Sequence, residues 1–335
     1  MEYKRILGEQ AKKLNIAYKY WPLYLYHFSD IHNIVNILSD GIILSRNEAR
    51  RRGVMFSDNS SERVIEKTKE EAFNYARLYF RPQTPTQYHS EGYKPRAVRD
   101  REINASCPVP VFLVLDADII LGMKDTYFVE QGIAGAGHKV SNGIDEFKQL
   151  SFERIYDNRL YSGDKWEIEK KYRMSEIINQ RGFPLEKSLK GIVCRSEAEK
   201  ETLCCLLTEK SGDLYEKYKN YVNFKPDFEC FFYNGLFVNS VEIRGNTLDV
   251  DFNTPAERRY QIAQIDVKIQ LTMWDAYGTK VDNAEYERNA DYDSTVGFQI
   301  PIELPLSTDR IGIRILFDGI EMYKSYVYIG QEIMI

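Results

Sequence analysis

The first strong hydrophobic pattern of the chain lies in residues 23–41. Residues 23–28 are aliphatic or aromatic apart from His27, a composition typical of a buried strand. Four apolar residues then follow at helical spacing: Ile31, Ile34, Val35 and Leu38. The Ser29-Asp30 pair can cap such a helix and Gly41 can end it. The pattern predicts a strand followed by a helix, with His27 at the carboxyl end of the strand, close to the phosphate-attracting helix N-terminus.

Other hydrophobic patterns predict further elements. Residues 3–18 favour a short amphipathic helix, and residues 63–78 favour a second one. Residues 109–115 are almost continuously apolar, which predicts a strand buried on both faces at the centre of a sheet. Ser196 and Glu199 fit a capping box, and we expect the helix that they open to run towards Tyr221.

Residues 79–92 carry aromatic and polar side chains around two prolines. Pro82 and Pro85 stand three residues apart, and we expect them to exclude both a helix and a central strand. An ordered loop of this composition can present hydrogen-bonding groups and ring faces to a base or a ribose. A structural loop that closes the end of a sheet fits the same residues.

Glu176 lies among apolar neighbours. A short strand at this point places Glu176 on one face together with Met174 and Ile178. A carboxylate in such surroundings is paired or functional, although a glutamate at a strand edge, facing water, fits the same pattern. A turn at residues 181–184 and apolar residues 191–194 follow, so we expect Glu176 to lie in a hairpin.

Beyond residue 225 the pattern changes to a strict alternation of apolar and polar residues. The alternating apolar positions include Ile265, Val267, Ile269, Leu271 and Met273, and later Ile311, Ile313, Ile315 and Phe317. We expect roughly seven or eight strands arranged as an antiparallel sandwich. We therefore divide the chain into residues 1–224 and a second domain, residues 225–335, which carries no histidine and is expected to serve recognition or docking.

Composition excludes several classes of protein. The chain has 335 residues, of which 43% are hydrophobic and 28% charged, so it suits two ordinary globular domains. No apolar run approaches the ~20 residues of a membrane span, and the N-terminus lacks the apolar core of a signal peptide, so we expect a cytoplasmic protein. The five cysteines lack zinc-ligand spacing and argue against a disulfide framework, and we expect no metal.

The formal net charge is −5, but cations concentrate in the first third of the chain. The cluster consists of Arg46, Arg50, Arg51, Arg52, Arg63, Arg77, Arg81, Lys94, Arg96, Arg99 and Arg101. Such asymmetry is compatible with a basic face that binds phosphates. A charge cluster is, however, more often an ordinary solvated surface.

Four segments occur in an order and spacing that resemble a known family. They are Tyr26-His27-Phe28-Ser29 with Asn33 and Gly41, Arg63-Val64-Ile65, Tyr79-Phe80-Arg81-Pro82 with Thr84-Pro85 and Tyr88, and Arg173-Met174-Ser175-Glu176 with the turn at residues 182–184. Together they resemble the DarT toxins, ADP-ribosyltransferases that attach ADP-ribose from NAD to a base in single-stranded DNA. The resemblance covers about residues 20–205. It implies an α+β fold, a split, mixed or antiparallel sheet of ADP-ribosyltransferase type with flanking helices, followed here by the all-β C-terminal domain.

The resemblance also implies roles for single residues. The catalytic glutamate falls on Glu176, where a carboxylate bonded to the ribose hydroxyl stabilises the oxocarbenium-like transition state formed as the nicotinamide bond breaks. His27 is expected to hold the nicotinamide ribose, with Asn33 in the same pocket. Further NAD contacts are expected from Ser29, Tyr79 and Arg81, and nucleic-acid contacts from Gln83, Thr84, Gln87, Tyr88, Arg96 and Arg99.

Two assignments stay open at this point. An arginine between the first helix and the proline segment is expected to bind the NAD phosphates and assist at the base; Arg63 is the first choice, and Arg51 and Arg52 compete with it. The commoner family form has a second arginine where Gln83 stands and Met-Leu where Thr86-Gln87 stands. Because this segment frames the nucleotide pocket, the difference leaves the target base open, whether thymine or a purine.

The resemblance implies a toxin-type mono-ADP-ribosyltransferase that uses NAD as substrate and modifies a base of single-stranded DNA. One alternative is the same chemistry on an RNA base. Another is a non-catalytic protein that binds only nucleic acid or a partner. A toxin of this family is expected to have an antitoxin partner, a macrodomain that removes the modification, and to act in phage defence. The C-terminal domain is a candidate docking site for such a partner or for a phage component.

Overall fold

The computed structural model describes residues 2–57, 70–95, 106–134, 139–224, 229–254 and 264–329. Its helices are α1 (Glu2–Ala11), α2 (Ile31–Asp40), α3 (Arg46–Arg51), α4 (Pro85–Ser90), α5 (Ala117–Leu121), α6 (Ile144–Lys148), α7 (Phe152–Ile155), α8 (Gly163–Tyr172), α9 (Glu197–Lys210) and α10 (Gly212–Tyr218). The strands up to residue 224 are β1 (Tyr24–Asp30), β2 (Ile42–Ile43), β3 (Ala76–Tyr79), β4 (Pro110–Asp116), β5 (Tyr127–Val129), β6 (Val140–Ser141), β7 (Glu176–Asn179), β8 (Phe183–Pro184), β9 (Leu189–Cys194) and β10 (Val222–Phe224). The later strands are β11 (Val238–Arg244), β12 (Thr247–Phe252), β13 (Gln264–Trp274), β14 (Lys280–Asp291), β15 (Gly297–Pro301), β16 (Arg310–Phe317) and β17 (Ile320–Tyr328). In the part of the chain described, no helix is long and apolar enough to cross a membrane.

One mixed sheet organises the first part of the chain, with its strands in the order β10-β9-β4-β1-β3-β7-β5-β6. β9 and β10 pair in parallel, whereas β1 pairs antiparallel with both β3 and β4. β4 is buried from Pro110 to Leu115, which confirms the predicted central strand. Helices lie alongside this sheet and a separate set of strands follows it, so the predicted α+β class is confirmed.

The predicted strand-to-helix unit is confirmed as β1 followed by α2. The carboxylate of Asp30 caps α2 by accepting the N–H of His32 at 3.0 Å. Gly41 ends the helix with a φ of 70°, a left-handed conformation that glycine adopts without strain. His27 lies in the middle of β1 rather than at its carboxyl end.

The first helix is shorter than predicted, because α1 ends at Ala11 and not near residue 18. The side chain of Asn15 accepts the N–H of Ala17 at 3.2 Å. Such a local side-chain bond gives the backbone an alternative to the helical ladder. A 3-10 turn containing Pro22 then leads directly into β1.

The predicted hairpin at Glu176 is wrong. β7, which begins with Glu176, pairs with β3 and β5, whereas β9 pairs with β4 and β10. The turn contains Gly182 and leads into β8, which pairs with β2 beside α2. The sequence shows that strands flank this turn, but the partners of a strand depend on residues far away in the chain.

Two predictions around the proline segment are also wrong. The end of the predicted second helix lies in the strand β3, and residues 70–74 form a 3-10 turn; residues 63–69 of that helix lie outside the described residues. Residues 85–90 form the helix α4 despite Pro85. Pro85 occupies the first turn, where its missing N–H removes no helical hydrogen bond. The hydroxyl of Thr84 caps the helix by accepting the N–H of Gln87 at 3.2 Å.

The helix after Ser196 begins as predicted and ends early. The hydroxyl of Ser196 accepts the N–H of Glu199 at 3.1 Å, and the carboxylate of Glu199 accepts the N–H of Arg195 at 3.0 Å. α9 ends at Lys210, because Ser211 adopts an extended conformation before the separate helix α10.

The last part of the chain contains the alternating strands that the sequence predicts. In the described residues, β11 to β17 form a three-stranded sheet, β11-β12-β15, and a four-stranded sheet, β14-β13-β16-β17. The alternating apolar residues of β13 and β16 are buried, as in a sandwich. One continuous apolar cluster runs from these sheets into the first part of the chain, and the division at residue 225 stays a prediction.

Candidate functional site

A cavity of about 240 Å³ opens between α2, the chain that follows it to Ser57, and the strands β1 and β3. Its polar lining residues are His27, Ser29, Asn33, Asp40, Arg46, Ser57, Tyr75, Arg77, Tyr79, Thr84, Thr86, Gln87 and Ser90. Successive side chains of a strand alternate between its faces, so residues two apart share a face. For this reason β1 contributes His27 with Ser29, and β3 contributes Arg77 with Tyr79.

Glu176 lies directly behind two of these lining residues. It is 1% exposed and pairs in register with Tyr79 across β7 and β3. Its Oε2 accepts the N–H of Ile133 at 2.8 Å, which fixes the carboxylate. Its Oε1 lies 3.9 Å from Nη1 of Arg77. Burial and the neighbouring Glu176 raise the pKa of Tyr79, so the Tyr79 hydroxyl keeps its proton beside this carboxylate.

His27 is held as a neutral imidazole at the wall of the cavity. Burial lowers its pKa from 6.5 to about 4. Its Nδ1 lies 3.3 Å from the carbonyl oxygen of Arg77. Because a carbonyl only accepts, Nδ1 carries the proton, and Nε2 of the neutral ring is then a hydrogen-bond acceptor.

Arg77 is the residue that sequence analysis missed. Its carbonyl orients His27, and its guanidinium approaches Glu176 while Nη2 donates to the carbonyl of Ala72 at 2.8 Å. The side chain is 25% exposed, so it reaches both the buried carboxylate and the cavity. Reading residues 76–79 as a strand would have aligned Arg77 with Tyr79, but the prediction of a helix there hid this relation.

Ser29 and Asn33 line the cavity, as expected, and contact each other. Nδ2 of Asn33 donates to the Ser29 hydroxyl at 3.2 Å and to the carbonyl of Ser57 at 2.8 Å. Its Oδ1 accepts the N–H of Phe56 at 2.7 Å. The amide of Asn33 therefore holds one wall of the cavity in place.

The structure places Arg81 away from this cavity. Its guanidinium is buried against the ring of Trp21 and donates to the carbonyl of Asp157 at 2.6 Å and to the side chain of Asn158 at 2.5 Å. Burial lowers the pKa of Arg81 to about 9. This guanidinium cross-links two segments, and the expected contact with NAD has no support in its position.

The residues expected to contact nucleic acid are largely used inside the protein. Gln83 adopts a left-handed φ of 56° and donates to the carbonyl of Phe231 at 3.2 Å. The Gln87 side chain is buried and donates to Glu91 and to the carbonyl of Cys230. Thr84 caps α4. Tyr88 packs its ring edge-on against Phe232 at 5.1 Å.

The arginines left open by the sequence divide into two groups. Arg63, Arg96 and Arg99 lie outside the described residues. Arg51 and Arg52 both bond the carboxylate of Glu48 on the outer side of α3 and do not line the cavity. Arg46, from the same helix, does line it.

An aromatic and cationic segment immediately precedes Glu176 and was also missed. The guanidinium of Arg173 lies 5.2 Å from the ring of Trp166 and 5.8 Å from that of Tyr161. Nζ of Lys165 lies 4.5 Å from the centre of the same tyrosine ring. The Thr86 hydroxyl at the cavity donates to the sulfur of Met174 at 3.4 Å, which connects this segment to the cavity rim.

Comparisons with known proteins identify one family. The family described as "ssDNA thymidine ADP-ribosyltransferase, DarT" matches residues 26–232. No curated protein matches the chain significantly. Among solved structures, DarT of Thermus sp. 2.9 in complex with ADP-ribosylated single-stranded DNA is 16% identical, with a TM-score of 0.46, and covers 62% of this chain and 96% of its own. The complex of the same protein with NAD+ gives a TM-score of 0.44 at 16% identity, with 62% and 97% covered.

The matched segment begins in β1 and ends beyond β10, so it contains the mixed sheet except for the first two residues of β1, and every side chain of the cavity wall discussed above. It stops before β11, and the seven later strands lie outside it. The family suggested by the sequence motifs is thereby confirmed, and with it the ADP-ribosyltransferase fold. The family match spans more than half of the chain, and the chain therefore belongs to the DarT family of single-stranded-DNA ADP-ribosyltransferases.

Proposed function

We propose that the cavity beside His27, Arg77 and Glu176 is where this DarT family member transfers ADP-ribose from NAD to a DNA base. The observation that carries the proposal is the arrangement of three side chains from three adjacent strands. A guanidinium and a neutral imidazole bonded to the carbonyl of the same arginine line the cavity, and a fixed carboxylate lies directly behind them, 3.9 Å from the guanidinium. The strands hold these groups on rigid backbone, as precise catalytic geometry requires.

The reaction breaks the bond between ribose C1′ and the nicotinamide nitrogen, and nicotinamide leaves with the bonding electrons. A base atom then forms a new bond to C1′ and loses its proton. Positive charge develops on the ribose only in the transition state, so a carboxylate at that place lowers the barrier more than it tightens substrate binding. Glu176 supplies the negative charge. Its Oε2 is held by the N–H of Ile133, and its Oε1 lies 3.9 Å from the guanidinium of Arg77.

His27 and Arg77 position the substrate in this scheme. Nε2 of the neutral His27 accepts a hydrogen bond from a ribose hydroxyl, which a protonated imidazole does not do. Arg77 keeps the Glu176 carboxylate in place and offers its remaining N–H groups to oxygen atoms of NAD or of the base. Arg46 is the cation of α3 that lines the same cavity and is our candidate for a phosphate contact.

The DNA strand lies, in our proposal, across the segment that precedes Glu176. Its accessible rings and cation, Tyr161, Trp166 and Lys165, are the kind of surface on which unpaired bases stack and phosphates bind. Gln83 and Gln87 are then supporting residues of α4. The target base stays open, because the amides that we expected to read it bond the protein itself.

We further propose a toxin that acts in the cytoplasm, has a macrodomain antitoxin and takes part in phage defence. The support is family membership and the chemistry, since an ADP-ribose group on a template base obstructs base pairing. Expression with and without a macrodomain hydrolase tests the pairing. Growth arrest that the hydrolase relieves supports it, and arrest that is unaffected contradicts it.

The experiment that tests the activity uses labelled NAD with short single-stranded DNA and RNA of mixed sequence and with the four DNA homopolymers. Glu176→Gln, which keeps the size of the side chain, is the matched control. We expect label on single-stranded DNA only, and loss of the label in the variant. Label on RNA only would mean that the same reaction modifies RNA instead of DNA. Intact NAD with no label on either polymer would overturn the proposal.

A further inference from the structure

The four-stranded sheet of the C-terminal part has one buried and one outward face. Along β13 the buried residues alternate with outward ones, of which Trp274 is the last. Arg310 on β16 pairs in register with Trp274 on one side and with Tyr328 on the other. Tyr326 on β17 lies one step further along the same face. This end of the outward face therefore combines three aromatic rings with a guanidinium.

The rings and the guanidinium form one cluster. The guanidinium carbon of Arg310 lies 4.7 Å from the ring centre of Trp274 and 5.3 Å from that of Tyr326. The two ring centres are 5.9 Å apart. Tyr326 and Tyr328 remain 37% and 47% exposed, so ring surface is open to solvent. We call this cluster, with Gly312 between its rings, the aromatic face.

Gly312 makes the aromatic face concave. A Cβ atom at this position would come within 2.9 Å of two Trp274 ring atoms and 3.1 Å of a Tyr326 ring atom. The missing side chain lets both rings settle towards the backbone. The result is a depression of about 270 Å³ whose lining includes Thr272, Trp274, Asn283, Arg314 and Tyr326.

The cations of this sheet differ in their pairing. Lys268 is bonded to Glu285 and Glu287 at 2.9 and 3.1 Å, which pairs the one carboxylate, Glu285, that also lines the depression with a cation. At the aromatic end, Nε of Arg310 has no hydrogen-bond partner among the described residues, and Lys280 is exposed. Cations next to exposed aromatic rings can bind a single strand, because the cations contact its phosphates and the rings stack on its bases.

A continuous series of contacts connects the aromatic face with the rim of the catalytic cavity. Phe56, beside the lining residue Ser57, stacks on His32 with ring centres 4.3 Å apart. Nε2 of His32 lies 3.8 Å from Glu321, and Glu321 bonds Arg314 at 2.7 Å. Arg314 is part of the depression itself. Four side chains, those of Phe56, His32, Glu321 and Arg314, therefore connect the rim of the cavity with the depression.

We propose that the aromatic face is a second binding site for single-stranded DNA, which holds nucleotides flanking the modified base. The inference rests on the proposed function, because that function supplies the strand. Trp274 and Tyr326 stack on bases, and Arg310 and Lys280 bind phosphates. The C-terminal part of the chain then serves to lengthen the DNA footprint beyond that of the catalytic cavity.

The test measures equilibrium binding of fluorescent oligonucleotides to the Glu176→Gln protein, so that no transfer changes the DNA. Strands of about 6 and about 20 nucleotides distinguish a site that only longer strands reach, given a footprint of roughly 4–16 nucleotides for stacking surfaces. We expect Trp274→Ala with Tyr326→Ala to weaken binding of the longer strand at least tenfold and to leave the shorter one unchanged. Trp274→Phe should restore most of the affinity, because a ring for stacking is back.

Tyr20→Ala is the matched control, since Tyr20 is a 45% exposed ring with Lys19 above it at 4.8 Å, in the segment before β1. Arg310→Gln provides a second variant that leaves the rings in place; it should weaken the longer strand and reduce the salt dependence of binding. Unchanged affinity for the longer strand in variants that melt like the parent protein overturns the inference. Equal weakening for both lengths does so too, because the effect would then come from the cavity.

Failure of this inference and failure of the proposed function give different results. Transfer of labelled ADP-ribose to the shorter strand is measured in a protein with Glu176 intact and Trp274→Ala in place. Normal transfer with a loss of long-strand affinity supports both proposals. Normal transfer without any loss overturns only the aromatic face, and absent transfer in the unaltered protein overturns only the catalytic proposal, since strand binding is still measured.

Discussion

Two regions of the molecule bury charged side chains, and they use them in opposite ways. One is the wall of the proposed catalytic cavity, where Glu176 is buried and Arg77 is 25% exposed. The other, which we call the junction cluster, consists of Glu91, Arg195 and Glu199. All three of its residues are 1% exposed, so burial alone makes both regions look like functional sites.

In the junction cluster the polar atoms are bonded within the protein. Arg195 donates to Glu199 at 3.0 Å and to the carbonyl of Pro108 at 2.8 Å. Glu91 accepts the N–H groups of Phe232 and Asn234 at 3.1 and 3.2 Å. These bonds join the mixed sheet to the chain that leads into the C-terminal strands.

At the cavity wall the bonding is incomplete. Glu176 receives one backbone N–H on Oε2, and the nearest cation is 3.9 Å from Oε1, beyond normal hydrogen-bond length. The Nε2 atom of His27 is an acceptor at the wall of an open cavity. The two regions differ in the hydrogen-bonding capacity that they leave facing a cavity, and our assignment of the site depends on this difference and less on buried charge.

The largest expected effect breaks the junction cluster. Arg195→Met leaves Glu91 and Glu199 buried without their cation, and burial already raises the pKa of both carboxyls. Removing one partner of a buried ion pair costs about 3–5 kcal/mol, so we expect a loss of that size in the free energy of unfolding. Urea denaturation measures it.

Arg244→Met is the control for this variant, because Arg244 bonds Glu242 at 2.5 Å with both side chains more than half exposed. Exposed pairs contribute roughly 0–1 kcal/mol. Similar losses in the two variants would show that the junction cluster contributes no more to the free energy of unfolding than an exposed ion pair does. Transfer activity per folded molecule should be normal in both.

The second prediction reverses this pattern at the cavity. Arg77→Gln should lower kcat for ADP-ribose transfer by about 10²-fold, the usual effect of removing one preorganised electrostatic group. The free energy of unfolding should change little, because the side chain is 25% exposed and has no close ion pair. Steady-state release of nicotinamide gives kcat and KM separately.

Arg77→Lys distinguishes charge from geometry in the same assay. A lysine restores the charge but not the fork of N–H donors, so partial recovery is expected. Full activity of Arg77→Gln would show that Arg77 has no role in the reaction. It would also show that Glu176 needs no neighbouring cation.

The sequence predicts what local patterns determine. β1 and α2 follow from apolar spacing, Asp30 and Gly41, and Glu176 among apolar neighbours follows from alternation over a few residues. The strands of the C-terminal sheets follow from the same alternation. In each case the signal and the structure lie within one short segment.

Non-local pairing explains what the sequence did not predict. Arg77 belongs to the site because β3 lies between β1 and β7, and no short segment contains that order. The hairpin failed for the same reason. α4 was missed for a local reason, because Pro85 was read as a helix breaker although a capped first turn accepts it.

A third prediction uses pH to compare the regions. His27 has a pKa of about 4 in the folded protein against 6.5 when unfolded. Between these values the unfolded chain binds a proton that the folded protein does not, so stability is complete above pH 6.5 and falls as the pH falls towards 4. At 1.36 kcal/mol per unit, the loss from pH 7.5 to 5.0 is about 2 kcal/mol.

Urea unfolding at the two pH values measures this loss. His27→Asn retains an N–H donor near the carbonyl of Arg77 and does not titrate, so its stability should depend less on pH by about 2 kcal/mol. An identical pH dependence in the variant and the parent would mean that His27 is not held neutral. Its role as an acceptor for ribose would then be wrong as well.

The smallest expected effect concerns Gln87, which lines the cavity and also bonds the junction cluster. Its Nε2 donates to Glu91 at 2.6 Å and to the carbonyl of Cys230 at 2.7 Å, and its Oε1 accepts the N–H of Gln83 at 2.7 Å. With its amide used in this way, Gln87 should behave as a member of the junction cluster. Gln87→Met should cost about 1–3 kcal/mol, the penalty for leaving buried partners unsatisfied, and leave the preference among DNA homopolymers unchanged. The exposed neighbour Thr86 is the control, since Thr86→Val should change stability by less than about 0.5 kcal/mol. A changed base preference in Gln87→Met, with stability retained, would instead assign Gln87 to the catalytic cavity, because only an amide free to turn towards the DNA can read a base.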